Sequence, residues 1–302
     1  MKKCLAQYLI VILIGILAIP VASNAGDADG QDAPGAIKVE VHLIEVYATV
    51  FDQKGHYLDG LSRDNFQVSE DGRSQEIASF ETGAQSLSCA ILLDTTGSMS
   101  EALPRVKNSI MKLIDELGPQ DSVAIYTFDE RLAARQEFTT DKDAAKRAVL
   151  RTRAQGRTAL FDALSQTAQE ISKRPGKKVL VVFTDGDDNS SALNASSAIS
   201  RAKKVGVPLY AIAEGEAVKS KNLKKLLEDM SQRTGGSTYQ VNKAGDIDNV
   251  FQSIAQSMQH LYMISYQPPS NSAGDQKWRS IEVALKGVKE YRIRAKEGYF
   301  PE

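Results

Sequence analysis

Apolar and polar positions change rhythm twice along the chain. Val39, Val41 and Leu43 share one face of a β run from Ile37 to Phe51, after which Ile44, Val46, Ala48 and Val50 take the other. Alternation of this kind marks a strand, and the phase slip predicts a bulge or a strand covered on both sides. Asp52-Gln53-Lys54-Gly55 reads as a turn, and Asp71-Gly72 as a hairpin turn joining Phe66–Val68 to Ile77–Phe80. No helical period of useful length fits between 37 and 84, so this stretch reads as a small all-β piece.

From Leu87 onward short apolar runs alternate with helical stripes. The run Ser88 to Asp94 is bounded by a turn and too brief for a membrane span, so it reads as a buried strand. Val106, Ile110, Leu113, Ile114 and Leu117 then fall on one helical face. Ser122–Phe128 is a strand, and Leu132–Phe138 its expected antiparallel partner. Thr140 to Asp143 caps a helix reaching about Arg151. Leu160, Leu164, Ala168 and Ile171 mark the next helix, followed by strand Val179–Phe183. Ala195 to Val205 and Leu223 to Met230 carry two more helices around strand Leu209–Ala213, the second stopped by Gly235-Gly236. Tyr239–Val241 is a short strand, and Ile247 to Leu261 the final helical stripe. This alternation predicts an α/β fold: a doubly wound, mainly parallel sheet with helices on both faces.

Beyond 261 the pattern returns to β, with runs at Met263–Tyr266, Ile281–Leu285 and Tyr291–Arg294. That stretch is too small to bury a core alone. Pairing it with residues 37–84 serves both, making the α/β domain (85–260) an insertion between two parts (37–84 and 261–302) of one β module.

Composition changes the picture mainly at the start. The 302 residues are 42% hydrophobic and 25% charged, as in a globular protein. Lys2 and Lys3 precede an uncharged run from Leu9 to Ile19, then Pro20 and Ala22-Ser23-Asn24-Ala25. This is the layout of a secretory signal peptide (1–25) with cleavage after Ala25. The run is short for a span of about 20 residues, so no membrane insertion is expected after cleavage. Export to the periplasm or the outside of the cell follows. Residues 26–36 are rich in Gly, Asp, Ala and Pro and read as a flexible linker. Cleavage removes two lysines and no acids, moving the net charge from −1 to −3, which argues against nucleic acid as a partner. It also removes Cys4, leaving Cys89 alone in the core strand without an intramolecular disulfide partner.

Three loops carry candidate chemistry. Asp94-Thr95-Thr96-Gly97-Ser98 follows the first α/β strand, Gly156-Arg157-Thr158 precedes the helix at Ala159, and Thr184-Asp185-Gly186 ends the Val179 strand. At the switch in strand order of a doubly wound sheet such loops meet. Asp94, Thr96, Ser98, Thr158 and Asp185 would then converge. All are hard oxygen donors, favouring Mg²⁺, Mn²⁺ or Ca²⁺ over Zn²⁺ or Cu²⁺. With some of these groups acting through water, a site with few directly bound carboxylates leaves such an ion partly un-neutralised, with a position for an Asp or Glu of a protein partner. Each loop also has a plainer reading. Ser98 to Glu101 matches a capping box, Thr158 stands where a helix cap would, and Asp185-Gly186 is a common turn pair.

Taken together, the loops resemble the metal-ion-dependent adhesion site of von Willebrand factor A domains, whose first motif is D-x-S-x-S. Asp94, Thr96 and Ser98 fall on that motif, with Thr96 in place of the usual serine. Thr158 and Asp185 fall on the second-loop threonine and third-loop aspartate. Asp64-Asn65-Phe66, Glu70-Asp71-Gly72 and Gly298-Tyr299-Phe300 further resemble exported bacterial proteins of the "VWFA-related" type. The resemblance implies a Rossmann-like metal-binding module without catalysis, engaged in protein–protein interaction or adhesion. Two other classes stay open at this point. One is a metal-assisted hydrolase using the same ion, which lacks an evident general base. The other is a cell-envelope scaffold without metal. Asp185-Gly186-Asp187-Asp188-Asn189 mimics an EF-hand start, but Ser190 and Ser196 stand where Gly and Glu are required. Asp187 and Asp188 therefore read as a solvated rim. His42, His56 and His260 lie outside the three loops.

Overall fold

The computed structural model describes residues 43–82, 85–269 and 277–301. The expected signal peptide, the linker, the start of the first β run and His42 lie outside them. Strands β1 (Ile44–Asp52), β2 (Phe66–Glu70), β3 (Arg73–Gln75) and β4 (Ile77–Glu81) come first. The α/β part runs through β5 (Leu87–Asp94), α1 (Leu103–Glu116), β6 (Ser122–Phe128), β7 (Leu132–Thr139), α2 (Lys142–Arg151), α3 (Leu160–Ser172) and β8 (Lys177–Thr184). It continues with α4 (Ala195–Val205), β9 (Leu209–Glu214), α5 (Glu216–Lys219), α6 (Lys221–Thr234), β10 (Ser237–Val241) and α7 (Ile247–Gln259). Strands β11 (Tyr262–Tyr266), β12 (Arg279–Leu285), β13 (Tyr291–Ala295) and β14 (Gly298–Tyr299) close the chain.

The central sheet has the order β10-β9-β8-β5-β6-β7, parallel except for β7. Strands β5, β6 and β8 are buried at every residue, which is why they read as unbroken apolar runs. Cys89, Ile91, Leu93, Val181 and Phe183 pack on one face with Val106, Ile110 and Leu113 of α1 and Phe251 and Ile254 of α7. Ala90, Leu92, Leu180 and Val182 pack on the other with Leu160 and Leu164 of α3 and Leu227 of α6. Truncating any one of these large side chains to Ala costs about 2–5 kcal/mol. Burial pushes the Cys89 thiol up to about 12, so it serves as a small hydrophobe and not as a reactive group.

The N- and C-terminal strands do build one β module. Sheets β13-β1-β11-β4 and β14-β12-β2-β3 enclose Val46, Ala48, Val50, Phe66, Val68, Ile264 and Tyr266. Strand β1 pairs without a break with β11 (Ile44↔Tyr266 to Ala48↔Tyr262) and with β13 (Ala48↔Ala295 to Asp52↔Tyr291). Its even residues enter the module's core, whereas Tyr47 joins the core of the central sheet. Of the two readings of the phase slip, the described part of the strand is thus covered on both sides. The expected hairpin needs correction. Asp71-Gly72 turns β2 into the three-residue β3, and β4 leaves to pair with β11 in the other sheet. The short Arg73–Gln75 strand, without an apolar alternation of its own, hid this crossover. No helix among the described residues is long and apolar enough to cross a membrane.

Candidate metal-binding site

Strands β5 and β8 lie side by side in parallel, from Leu87↔Lys177 to Leu93↔Phe183, so their carboxyl ends deliver Asp94 and Asp185 to the same end of the sheet. The strand order switches there, with β6 on one side of β5 and β8 on the other. Asp94 is fully buried. Its Oδ1 accepts a hydrogen bond from the Thr96 amide at 2.9 Å, and its Oδ2 one from Thr184 Oγ1 at 2.8 Å. Thr95 ties the first loop to β6, its amide and hydroxyl both donating to the Phe128 carbonyl.

Ser98 settles its two readings in this geometry. Its Oγ donates to Asp185 Oδ1 at 2.8 Å and lies 3.0 Å from Thr96 Oγ1. The chain forms a single 3-10 turn at Gly97–Ser100 without a side-chain cap, and α1 starts only at Leu103. The capping-box reading of Ser98-Met99-Ser100-Glu101 is therefore replaced by a side-chain link between the first and third loops.

The second loop is stapled to the first through backbone: the Gln155 amide donates to the Thr95 carbonyl at 2.7 Å, and that of Gly97 to the Gly156 carbonyl at 3.2 Å. Gly156 has φ +80°, and a Cβ there would stand 2.9 Å from Cβ of Asp129, so the staple needs glycine. Thr158 does not cap α3, whose N-cap is Ala159 without a side-chain bond. Its amide donates to Asn189 Oδ1, and its carbonyl accepts from the amides of Asn189 and Ser190. Asp188 is no solvated rim residue either: its Oδ2 accepts the Phe161 amide in the first turn of α3 at 2.9 Å. Asp187 is exposed, as expected.

All five residues are thereby brought to one place. A Cβ at Gly186 would sit 3.8 Å from Thr158 Oγ1 and 3.9 Å from Ser98 Oγ, so both hydroxyls border the space beside this glycine. Burial pushes the Asp94 carboxyl up to about 6, against the hydrogen bonds from Thr96 and Thr184 and with the help of nearby Asp185. Burial also raises Asp185, with Ser98 and Arg105 opposing and Glu214 reinforcing. Neither aspartate has an ion-pair partner among the described residues, where Arg105 is paired with Glu214 instead. Hydroxyls and amides satisfy their hydrogen bonding without neutralising their charge. A dication among these oxygens fits that deficit, and the donor set is hard. Among the described residues no group of three His, Cys, Asp or Glu side chains is placed to hold a metal.

Three residues beside the site are not among the five ligand candidates. Thr184, noted only as part of the third loop, supports Asp94. Arg105 and Glu214 flank Asp185, and a lone charge on a helix and one at a strand end carry no motif that marks them.

Comparison with known proteins agrees with this architecture. The model of the von Willebrand factor type A domain matches residues 89–253. The uncharacterized protein sll0103 of Synechocystis sp. is 25% identical over 184 residues, which cover 58% of this chain and 42% of that relative. The chain thus spans under half the length of that relative. A von Willebrand factor type A structure from Catenulispora acidiphila has a TM-score of 0.51 at 14% identity, covering 88% of this chain and 76% of its own. Proximal thread matrix protein 1 from the mussel byssus, solved with a zinc-occupied MIDAS motif, has a TM-score of 0.51 at 20% identity, covering 62% and 48%. These two likenesses concern the fold alone. With the parallel sheet, the three loops at its switch point and a family model matched over more than half its length, the chain belongs to the von Willebrand factor type A domain family.

Proposed function

We propose that the protein is an exported, non-enzymatic interaction module that binds a protein partner through a divalent cation, Mg²⁺ before Mn²⁺ or Ca²⁺. Asp94, Thr96, Ser98, Thr158 and Asp185 hold the ion, directly or through water. When bound, the cation supplies a Lewis-acidic position that an Asp or Glu side chain of the partner fills. The observation that carries this reading is the link from Thr96 through Ser98 to Asp185 beside a fully buried Asp94 that, among the described residues, no lysine or arginine neutralises. Export rests on the layout of residues 1–25.

The residues divide the work. Thr184 and the Thr96 amide orient Asp94, leaving its charge available. Ser98 orients Asp185, and the backbone staple at Gly156 sets the depth of the second loop. The test is capture of partners from a bacterial envelope extract in Mg²⁺, with release by EDTA and a parallel run with Asp94→Asn. Release by chelator and loss in the variant are expected. Capture that persists in EDTA and in the variant rejects the cation-mediated reading.

A further inference from the structure

Beside Asp185 lies a charge pair that the ligand set does not include. The register Phe183↔Ile212, Thr184↔Ala213 carries on so that Asp185 and Glu214 leave β8 and β9 side by side. Phe183 and Ile212 face α1, and alternation returns Asp185 and Glu214 to that face. The segment after Glu214 wraps the aspartate: the Ala217 amide donates to the Asp185 carbonyl at 3.0 Å, and a Cβ at Gly215 would stand 3.2 Å from that oxygen. From α1, Arg105 Nη2 donates to Glu214 Oε1.

The pair is not closed on itself. A fork-to-fork pairing would engage Arg105 Nε and Glu214 Oε2 as well, yet both atoms are buried without a hydrogen-bond partner among the described residues. The side chains are 32% and 12% exposed, so water screens them incompletely. Asp94, Asp185 and Glu214 against Arg105 leave a formal charge of two minus, that of one divalent cation in reverse.

Resting on the cation reading above, we propose that Arg105 and Glu214 are positioning residues that set how tightly the ion is held. Glu214 adds attraction beside Asp185, and Arg105 limits it so that the ion keeps affinity for an outside acid. Removing either charge should therefore shift ion affinity in opposite directions, and removing both should largely cancel. The electrostatic influence of both groups on Asp185 agrees with this.

The test is Mn²⁺ binding, followed by the electron paramagnetic resonance signal of free Mn²⁺, with melting in EDTA as the folding control. The proteins are wild type, Asp94→Asn, Glu214→Gln, Arg105→Met and the Arg105→Met/Glu214→Gln double variant. Glu214→Gln should weaken binding by about 10-fold or more, the scale of outer-shell changes at metal sites. Arg105→Met should tighten it, and the double variant should return to within about threefold of wild type. If Glu214→Gln unfolds in EDTA, comparing Arg105→Met with the double variant still isolates the Glu214 charge. Single changes that alter melting but leave Mn²⁺ affinity unmoved, or that both weaken it, overturn the proposal. Loss in Asp94→Asn with normal Glu214→Gln overturns this proposal alone. No Mn²⁺ binding by wild type overturns the cation reading together with it.

Discussion

The two ends of the central sheet bury charge of opposite sign and handle it differently. At the carboxyl ends of β5 and β8, Asp94 and Asp185 are buried among hydroxyls and amides with no lysine or arginine ion-paired to them among the described residues. At the amino end of β8, where the β module packs, the buried charges are amines. Lys178 Nζ meets Glu45 Oε2 at 2.6 Å, Lys177 Nζ is buried without a hydrogen-bond partner among the described residues, and the Lys296 amine lies against Gly206. Burial pushes Lys296 down to about 8, with Lys178 adding to the shift and Glu45 opposing it. The seam thus meets part of its charge with the Glu45 carboxylate, and burial loosens the proton on the Lys296 amine. The loop end has no such carboxylate–amine pairing for its aspartates among the described residues, and Asp94, raised to about 6, is still largely ionised at neutral pH. One end carries a counter-charge of its own, and the other is where the proposed cation would supply one.

The sharpest break in this contrast comes from Asp94→Asn, which keeps hydrogen-bonding groups toward Thr96 and Thr184 but removes the charge. Mn²⁺ affinity should fall by about 100-fold or more, beyond the range of outer-shell changes. Melting temperature in EDTA should not fall. In wild type, ion at about 100 times its dissociation constant should stabilise the fold by about 2.7 kcal/mol, and the variant should lose that gain. Calorimetric titration and melting curves measure both.

Lys296→Met probes the other end. The folded-state value of about 8 lies below the ordinary 10.5, so between them the unfolded chain binds more protons. Stability from this group therefore rises as pH climbs from about 8 to about 10.5, and its penalty is full below 8. The variant should gain on the order of 1–3 kcal/mol at pH 7 and flatten the pH dependence across that window. Urea denaturation at a series of pH values reads the difference, and an unchanged profile contradicts a buried amine with lowered proton affinity.

Smaller effects grade the site. Ser98→Ala removes the oxygen that joins the first and third loops and should weaken Mn²⁺ by about 10-fold. Thr96→Ser keeps the oxygen and loses only a methyl group, so affinity should stay within about threefold. A larger loss in Thr96→Ser than in Ser98→Ala would reverse the ranking of the two hydroxyls.

How much of this was legible in the sequence depends on what each signal encodes. Periodicity is local, so the elements from Leu87 to Leu261 could be read, and β–α alternation leaves few topologies. The three loops could be read because each joins a strand end or helix start to an oxygen-bearing side chain. Ser98 could not be resolved locally. A serine that caps a helix and a serine that reaches 87 residues along the chain to Asp185 look the same, and only the adjacency of β5 and β8 separates them. Asp188 failed for the same reason, because its partner amide belongs to Phe161 in another loop. The turn at Asp71-Gly72 was recognised, but its partner strand was not, since β3 is three exposed or half-exposed residues long. Arg105 and Glu214 were silent because an ion pair between a helix and a strand end has no sequence spacing.

The most direct test of the central claim is anomalous diffraction from a crystal soaked in Mn²⁺. A peak bordered by Asp94, Thr96, Ser98, Thr158 and Asp185 beside Gly186 is the result expected. Density at that position without an anomalous signal, in a crystal where Mn²⁺ is seen elsewhere, contradicts it.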